Sequence, residues 1–90
     1  MSNAPVFIAL QATEDMRAVI DAIVEDNPHA TVHRYPAMVK IDAPGRLSIH
    51  RASVEERIGR AWDLQELQLG LISLAGNIDE TEDAFVLAWH

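Results

Sequence analysis

Residues 5–11, PVFIALQ, are apolar on both faces of an extended chain: Val6, Ile8 and Leu10 point one way, Phe7 and Ala9 the other. A strand apolar on both sides needs cover on both sides, so it belongs in the interior of a sheet. This requirement weighs heavily on a chain of 90 residues. A fold of that size buries only roughly 60–65% of the surface its unfolded form exposes. The chain has no cysteine, so no disulfide reinforces the core and no thiol serves as nucleophile or metal ligand. We read residues 1–90 as one domain, with 1–4 a loose end.

The segment after this strand reads as an amphipathic helix. Thr13 is its N-cap, with Glu14 and Asp15 in the first turn, where acids suit the helix dipole. Met16, Val19, Ile20, Ile23 and Val24 form one face, and Arg17 pairs with Asp21 on the other. Asn27 in a left-handed conformation, followed by Pro28, ends the helix near Asp26. Thr31–Arg34 reads as a short strand and Tyr35-Pro36 as a break. A hairpin of 37–42 and 46–50 across Ala43-Pro44-Gly45 comes next, setting Asp42 opposite Arg46 and Ile41 opposite Leu47. Pro44 strains that loop, and a Pro-Gly type II turn with a bulge is the alternative.

Ser53-Val54-Glu55-Glu56 has the form of a capping box that opens a second, short helix, which frays at Gly59. Leu67, Leu69 and Leu71 alternate with other residues and predict a strand over 67–73. The acidic residues 79–83 read as a loop. Residues 84–89 read as a last strand with Phe85, Leu87 and Trp89 on one face. The order is β-α-β-β, twice. This is an α+β fold, a mostly antiparallel sheet system with two helices packed on it.

The net charge of −7 repels nucleic acid and acidic lipid, and no apolar run approaches the ~20 residues that span a bilayer. A basic or mixed-charge protein surface suits it better. There is no GxGxxG, Walker loop, HExxH or GxSxG. The four histidines have no metal-ligand spacing, although the strands carrying His33 and His50 could bring them close. Residues 79–83 lack the order of a calcium loop. No catalytic residue, metal ligand or cofactor site is expected.

The stretch that invites a function is Ile72–Asn77. It sets Ile72 and Leu74 beside the small Ala75 and Gly76, with Ser73 and Asn77 as polar handles. A tight structural turn accounts for these residues; so does a contact surface on which small residues allow close backbone approach. The contact reading selects Ile72, Ser73, Leu74, Gly76 and Asn77, with Asn27 as an outlying candidate.

An ordered set of segments carries a resemblance across nearly the whole chain: PVFIALQ at 5–11, IVEDNP at 23–28, YPAMVKI at 35–41, GRL at 45–47, RASVEERIGRAWDLQELQ at 51–68, LISLAGN at 71–77 and FVLAW at 85–89. The chain resembles the small effector, or coupling, proteins of bacterial multicomponent diiron monooxygenases, most nearly the phenol hydroxylase regulatory component. The resemblance implies a fold of two β-α-(β)-β units and a non-catalytic, cofactor-free role. The partner would be the diiron hydroxylase of a phenol or similar aromatic monooxygenase, with a functional link to its reductase. The protein would control substrate and dioxygen access and couple electron transfer to hydroxylation, in the cytoplasm, with no nucleic acid or membrane partner. A small-ligand-binding α+β regulatory module is the alternative, and a cofactor-free enzyme would need a convergent polar set that the sequence does not offer.

Overall fold

The computed structural model describes residues 4–89. Its elements are β1 (Pro5–Gln11), α1 (Glu14–Asp26), β2 (Thr31–Arg34), β3 (Met38–Pro44), β4 (Arg46–His50), α2 (Arg51–Ile58), a 3-10 turn (Leu64–Leu69), β5 (Leu71–Ala75), β6 (Asn77–Glu80) and β7 (Ala84–Ala88). They form two antiparallel sheets, one in the order β2-β3-β1-β5 and the other β4-β7-β6. The α+β class and the mostly antiparallel pairing therefore stand as read. Among the described residues no helix is long and apolar enough to cross a membrane.

β1 is interior, as its two apolar faces require. It pairs with β3 on one side and β5 on the other. Val6, Ile8 and Leu10 have no exposed surface and Ala9 very little. β7 holds the equivalent central place in the second sheet, between β4 and β6. On the flanks, β3 runs into β4 and β5 runs into β6, each through a single glycine with positive φ: 79° at Gly45 and 135° at Gly76. Each flank is thus one long strand bent from the first sheet into the second, the usual way to build such corners. Ala88 sits opposite both Arg46 and Asn77, and the Trp89 indole Nε1 donates to the Pro5 carbonyl at 3.0 Å. The Gly45 N–H donates to the Ala4 carbonyl at 3.3 Å, so the chain is already held at Ala4; the rest of the expected loose end, 1–3, lies outside the described residues.

This arrangement overturns the hairpin. β3 and β4 lie in different sheets, so Asp42 faces Phe7 and Thr31 rather than Arg46, and Leu47 faces Leu87 rather than Ile41. An interior β1 needs two neighbours, and β3 supplies one of them with Val39, Ile41 and Ala43 turned to the core. His33 and His50 likewise end up in separate sheets.

α1 follows its prediction closely. The Thr13 hydroxyl accepts from the Met16 N–H, and Met16, Val19, Ile20, Ala22 and Ile23 are buried. Arg17 pairs with Glu14 rather than Asp21. α2 starts two residues before the expected cap. His50 is its N-cap and makes no side-chain bond there, and the Arg51 N–H donates instead to the Asp83 carbonyl at 2.9 Å. A contact from the β6–β7 turn thus supplies what the Ser53 box would have supplied locally. Gly59, at φ 74°, closes α2 cleanly in the left-handed conformation. The helices touch one another and β4, with α1 also reaching β1. Their inner faces and those of both sheets share one core, which takes in Trp62 and Phe85.

Candidate functional site

The leucine strand expected over 67–73 is instead a 3-10 turn followed by β5. Asp63 opens the turn. Its carboxylate accepts from the Gln65 N–H at 2.8 Å, and Glu66 reaches back to accept from the Asp63 N–H at 3.1 Å. This is a capping box of the D-x-x-E kind, a signal present in the sequence but masked by the alternating leucines. The hydrogen bond from the Asp63 backbone, helped by the Arg60 guanidinium, holds the Glu66 carboxyl below the usual glutamate range. In a 3-10 turn the side chains repeat every three residues, so Leu64 and Leu67 are buried together. Leu69 is thrown outward and is 79% exposed.

β5 is an edge strand of the first sheet. Ala75 faces Phe7, Leu74 faces Ile8 and Ser73 faces Ala9, after which the register slips so that Leu10 faces Leu71. Ile72 is the unmatched residue of this bulge and is 48% exposed. Bulges commonly re-aim a side chain in this way at sheet edges. The candidate residues therefore divide. Ile72, Ser73 and Asn77 are exposed, while Leu74 turns toward the core and is partly buried. Gly76 is the corner between the two sheets, and a Cβ there would lie 2.9 Å from Val6 Cγ1. The structural turn and the surface are thus both present, on different side chains of one segment.

Asn27 does not join them. It is buried, with φ −129°, not left-handed as expected. Its amide Nδ2 donates to the Ile23 and Ser48 carbonyls, both at 2.7 Å, and its Oδ1 accepts from the Ser48 N–H at 3.0 Å. The side chain ties the end of α1 to β4, and its polar groups are spent doing so.

Two surface residues escaped the sequence reading. The sequence reading assigns 79–83 to an acidic loop and gives Ile78 no role, but β6 is a strand over Asn77–Glu80 and Ile78 is 54% exposed on it. The alternation of Leu67, Leu69 and Leu71 groups Leu69 with its two neighbours on one strand face, whereas it stands apart from them in the 3-10 turn. The sequence signal for Leu69 was the capping box four residues upstream of Leu67; Ile78 had none short of the partner strand β7.

The polar side chains of the described residues pair mainly with their neighbours on the surface. The His33 Nε2 meets Asp42 Oδ2 at 2.9 Å on the outer face of the first sheet, with Lys40 3.7 Å from the other carboxylate oxygen and 4.5 Å above the Phe7 ring. His29 approaches the Arg46 carbonyl. Among the described residues no group of three or more His, Asp or Glu side chains is arranged to hold a metal ion. A surface depression of about 580 Å³ is open and rimmed by Glu14, Arg17, Asp21 and Arg34, not an apolar enclosure for an aromatic ligand.

Two antiparallel sheets bent into one another at Gly45 and Gly76, sharing one core with the helices, define the fold class. The chain belongs to the MmoB/DmpM family, whose model matches residues 4–88. It is 51% identical over 84 residues to the phenol 2-monooxygenase stimulatory component DmpM of Pseudomonas sp. (strain CF600), covering 93% of each chain. A chain of a solved phenol hydroxylase–regulatory protein complex superposes with a TM-score of 0.92 at 46% identity, over 96% of this chain and 99% of that one. The soluble methane monooxygenase regulatory protein B shares the fold at 17% identity, with a TM-score of 0.75 over 96% of this chain and 65% of that one.

Proposed function

We propose that this protein is the non-catalytic, cofactor-free regulatory component of a phenol, or similar aromatic, monooxygenase. It binds the diiron hydroxylase, controls substrate and dioxygen access, and couples electron delivery from the reductase to hydroxylation in the cytoplasm. The observation that carries this reading is the agreement, over nearly the full length of both chains, with a chain of the phenol hydroxylase–regulatory protein complex. The same family's stimulatory component, at 51% identity, supports it.

An effector of this kind works by binding one hydroxylase conformation better than another; equal affinity for both would shift nothing. The differential required is of the order of ~1–3 kcal/mol. A rigid edge of bent sheet can supply it, because Ile72, Ser73 and Asn77 present their side chains from a backbone fixed by β1 and by the Gly76 corner. In this proposal those three make contact, Leu74 and Gly76 hold the surface in shape from beneath, and Asn27 acts at a distance by fixing α1 to β4.

Adding the protein to hydroxylase and reductase raises the product formed per NADH consumed. An unchanged rate and yield at saturating protein would sink the proposal. Ser73→Asp lowers the activation at sub-saturating protein while the circular dichroism spectrum is retained, since Ser73 is exposed.

A further inference from the structure

β6 is an edge strand, and all four of its residues are exposed. The other flank of that sheet is different: β4 has α1 and α2 packed against it. Ile78 lies opposite Leu87, which is fully buried, so both side chains belong to the core side of the sheet. Ile78 is nevertheless 54% exposed. The core is left open along this edge, and a further strand laid beside β6 would close it.

The chemistry around that opening is one-sided. Residues 61–90 hold six acids and neither Lys nor Arg, so this segment carries six of the seven net negative charges. Glu80, two residues from Ile78 and so on the same side, lines an open depression with Asp63, Leu64, Gln65, Thr81 and Glu82. Two of the six acids are already occupied, Asp83 by Arg51 and Glu66 by Arg60. Among the described residues the other four have no ion-pair partner; Asp79 alternates to the opposite side of β6, which leaves Asp63, Glu80 and Glu82, although Asp63 also caps the 3-10 turn. Charged residues blunt an edge against indiscriminate pairing, and three of one sign also select the partner that can pair.

We propose that the β6 edge is a docking rail for a basic, extended segment of the hydroxylase. The segment adds a strand beside Asn77–Glu80, covers Ile78 with an apolar side chain and reaches Asp63, Glu80 and Glu82 with lysine or arginine. Main-chain hydrogen bonds provide affinity in such strand addition, and the flanking side chains provide the choice of partner. This inference rests on the hydroxylase being the partner and adds which edge meets it and with what chemistry.

The test uses the full chain and the intact hydroxylase. Glu80→Lys/Glu82→Lys reverses two exposed charges, and Glu14→Lys/Glu56→Lys makes the same change in net charge on the helices. With fold confirmed by circular dichroism, the β6 variant associates about tenfold more slowly at low salt and loses most of its salt dependence, and the helix variant much less so. In the complex of the unaltered protein, the amides of Ile78, Asp79 and Glu80 gain hydrogen-exchange protection. Equal slowing of both variants, or no protection at β6, overturns the proposal. The broader effector reading is judged separately, by whether the unaltered protein raises product per NADH in the same preparation.

Discussion

A Cβ at position 76 would lie 2.9 Å from Val6 Cγ1 and 3.3 Å from Leu87 Cβ, on a backbone with φ 135°. Both central strands thus press on this one glycine. Gly76→Val combines backbone strain with overpacking and is expected to cost roughly 2–4 kcal/mol. Urea denaturation checks this as a lowered midpoint, with any loss of activation following the loss of fold. Ile72 and Ser73, four and three residues earlier, behave differently because their side chains leave the body of the protein. Asn27 marks the limit of reading such residues from their neighbours along the chain. Beside Pro28 it reads as a helix stop, and it is one, with its N–H bonded to the Val24 carbonyl. Its burial and its bonds to Ser48 depend on a strand 21 residues away.

At the level of the element, two capping boxes compete for notice and the structure uses the less conspicuous one. Ser53 lies inside α2, whose first N–H is satisfied by Asp83, whereas Asp63 and Glu66 bond reciprocally at the start of the 3-10 turn. Ser53→Ala is therefore expected to change stability by no more than about 0.5 kcal/mol. Asp63→Ala is expected to cost about 1 kcal/mol, and thermal melts of the two variants side by side make the comparison. Glu66 adds a pH dependence. Its carboxyl is held below the usual glutamate range chiefly by the Asp63 backbone N–H. A group lowered on folding contributes stability above its unfolded pKa and loses it as pH falls through the folded value. Glu66→Gln should accordingly flatten the acid side of the stability–pH profile and leave neutral pH to alkaline slopes unchanged.

In the whole molecule, two sheets are joined by flanking strands that bend at Gly45 and Gly76, and one core fills the space between them and the helices. Neither sheet has a core of its own, so the chain should unfold in a single transition, with fluorescence and circular dichroism midpoints coinciding. Hydrogen exchange should be slowest in β1 and β7, the two strands with a neighbour on each side, and fastest in β6. Separate transitions for the helices and the sheets would contradict this. The same layout leaves β5 and β6 as one continuous bent edge, which is where the proposed contacts fall.

Local pattern by itself determined a good deal here. The two apolar faces of residues 5–11 determined an interior strand, and the 3.6-residue spacing from Met16 to Ile23, with Thr13 before it, determined α1 and its buried face. The left-handed conformation of Gly45 was readable too, although for a hairpin loop and not for the corner between sheets that it makes. In each case the deciding interactions lie within a turn or along a single strand. Tertiary structure alone decided which strands pair. A sequence that could close a hairpin at 43–45 instead gives β3 to β1 and β4 to β7, because the interior strands bury more by having two neighbours than a hairpin buries by itself. It also decided that Leu69 and Ile78 face outward and that Asn27 faces inward, since the partners that cover or expose them are brought together only when the chain folds.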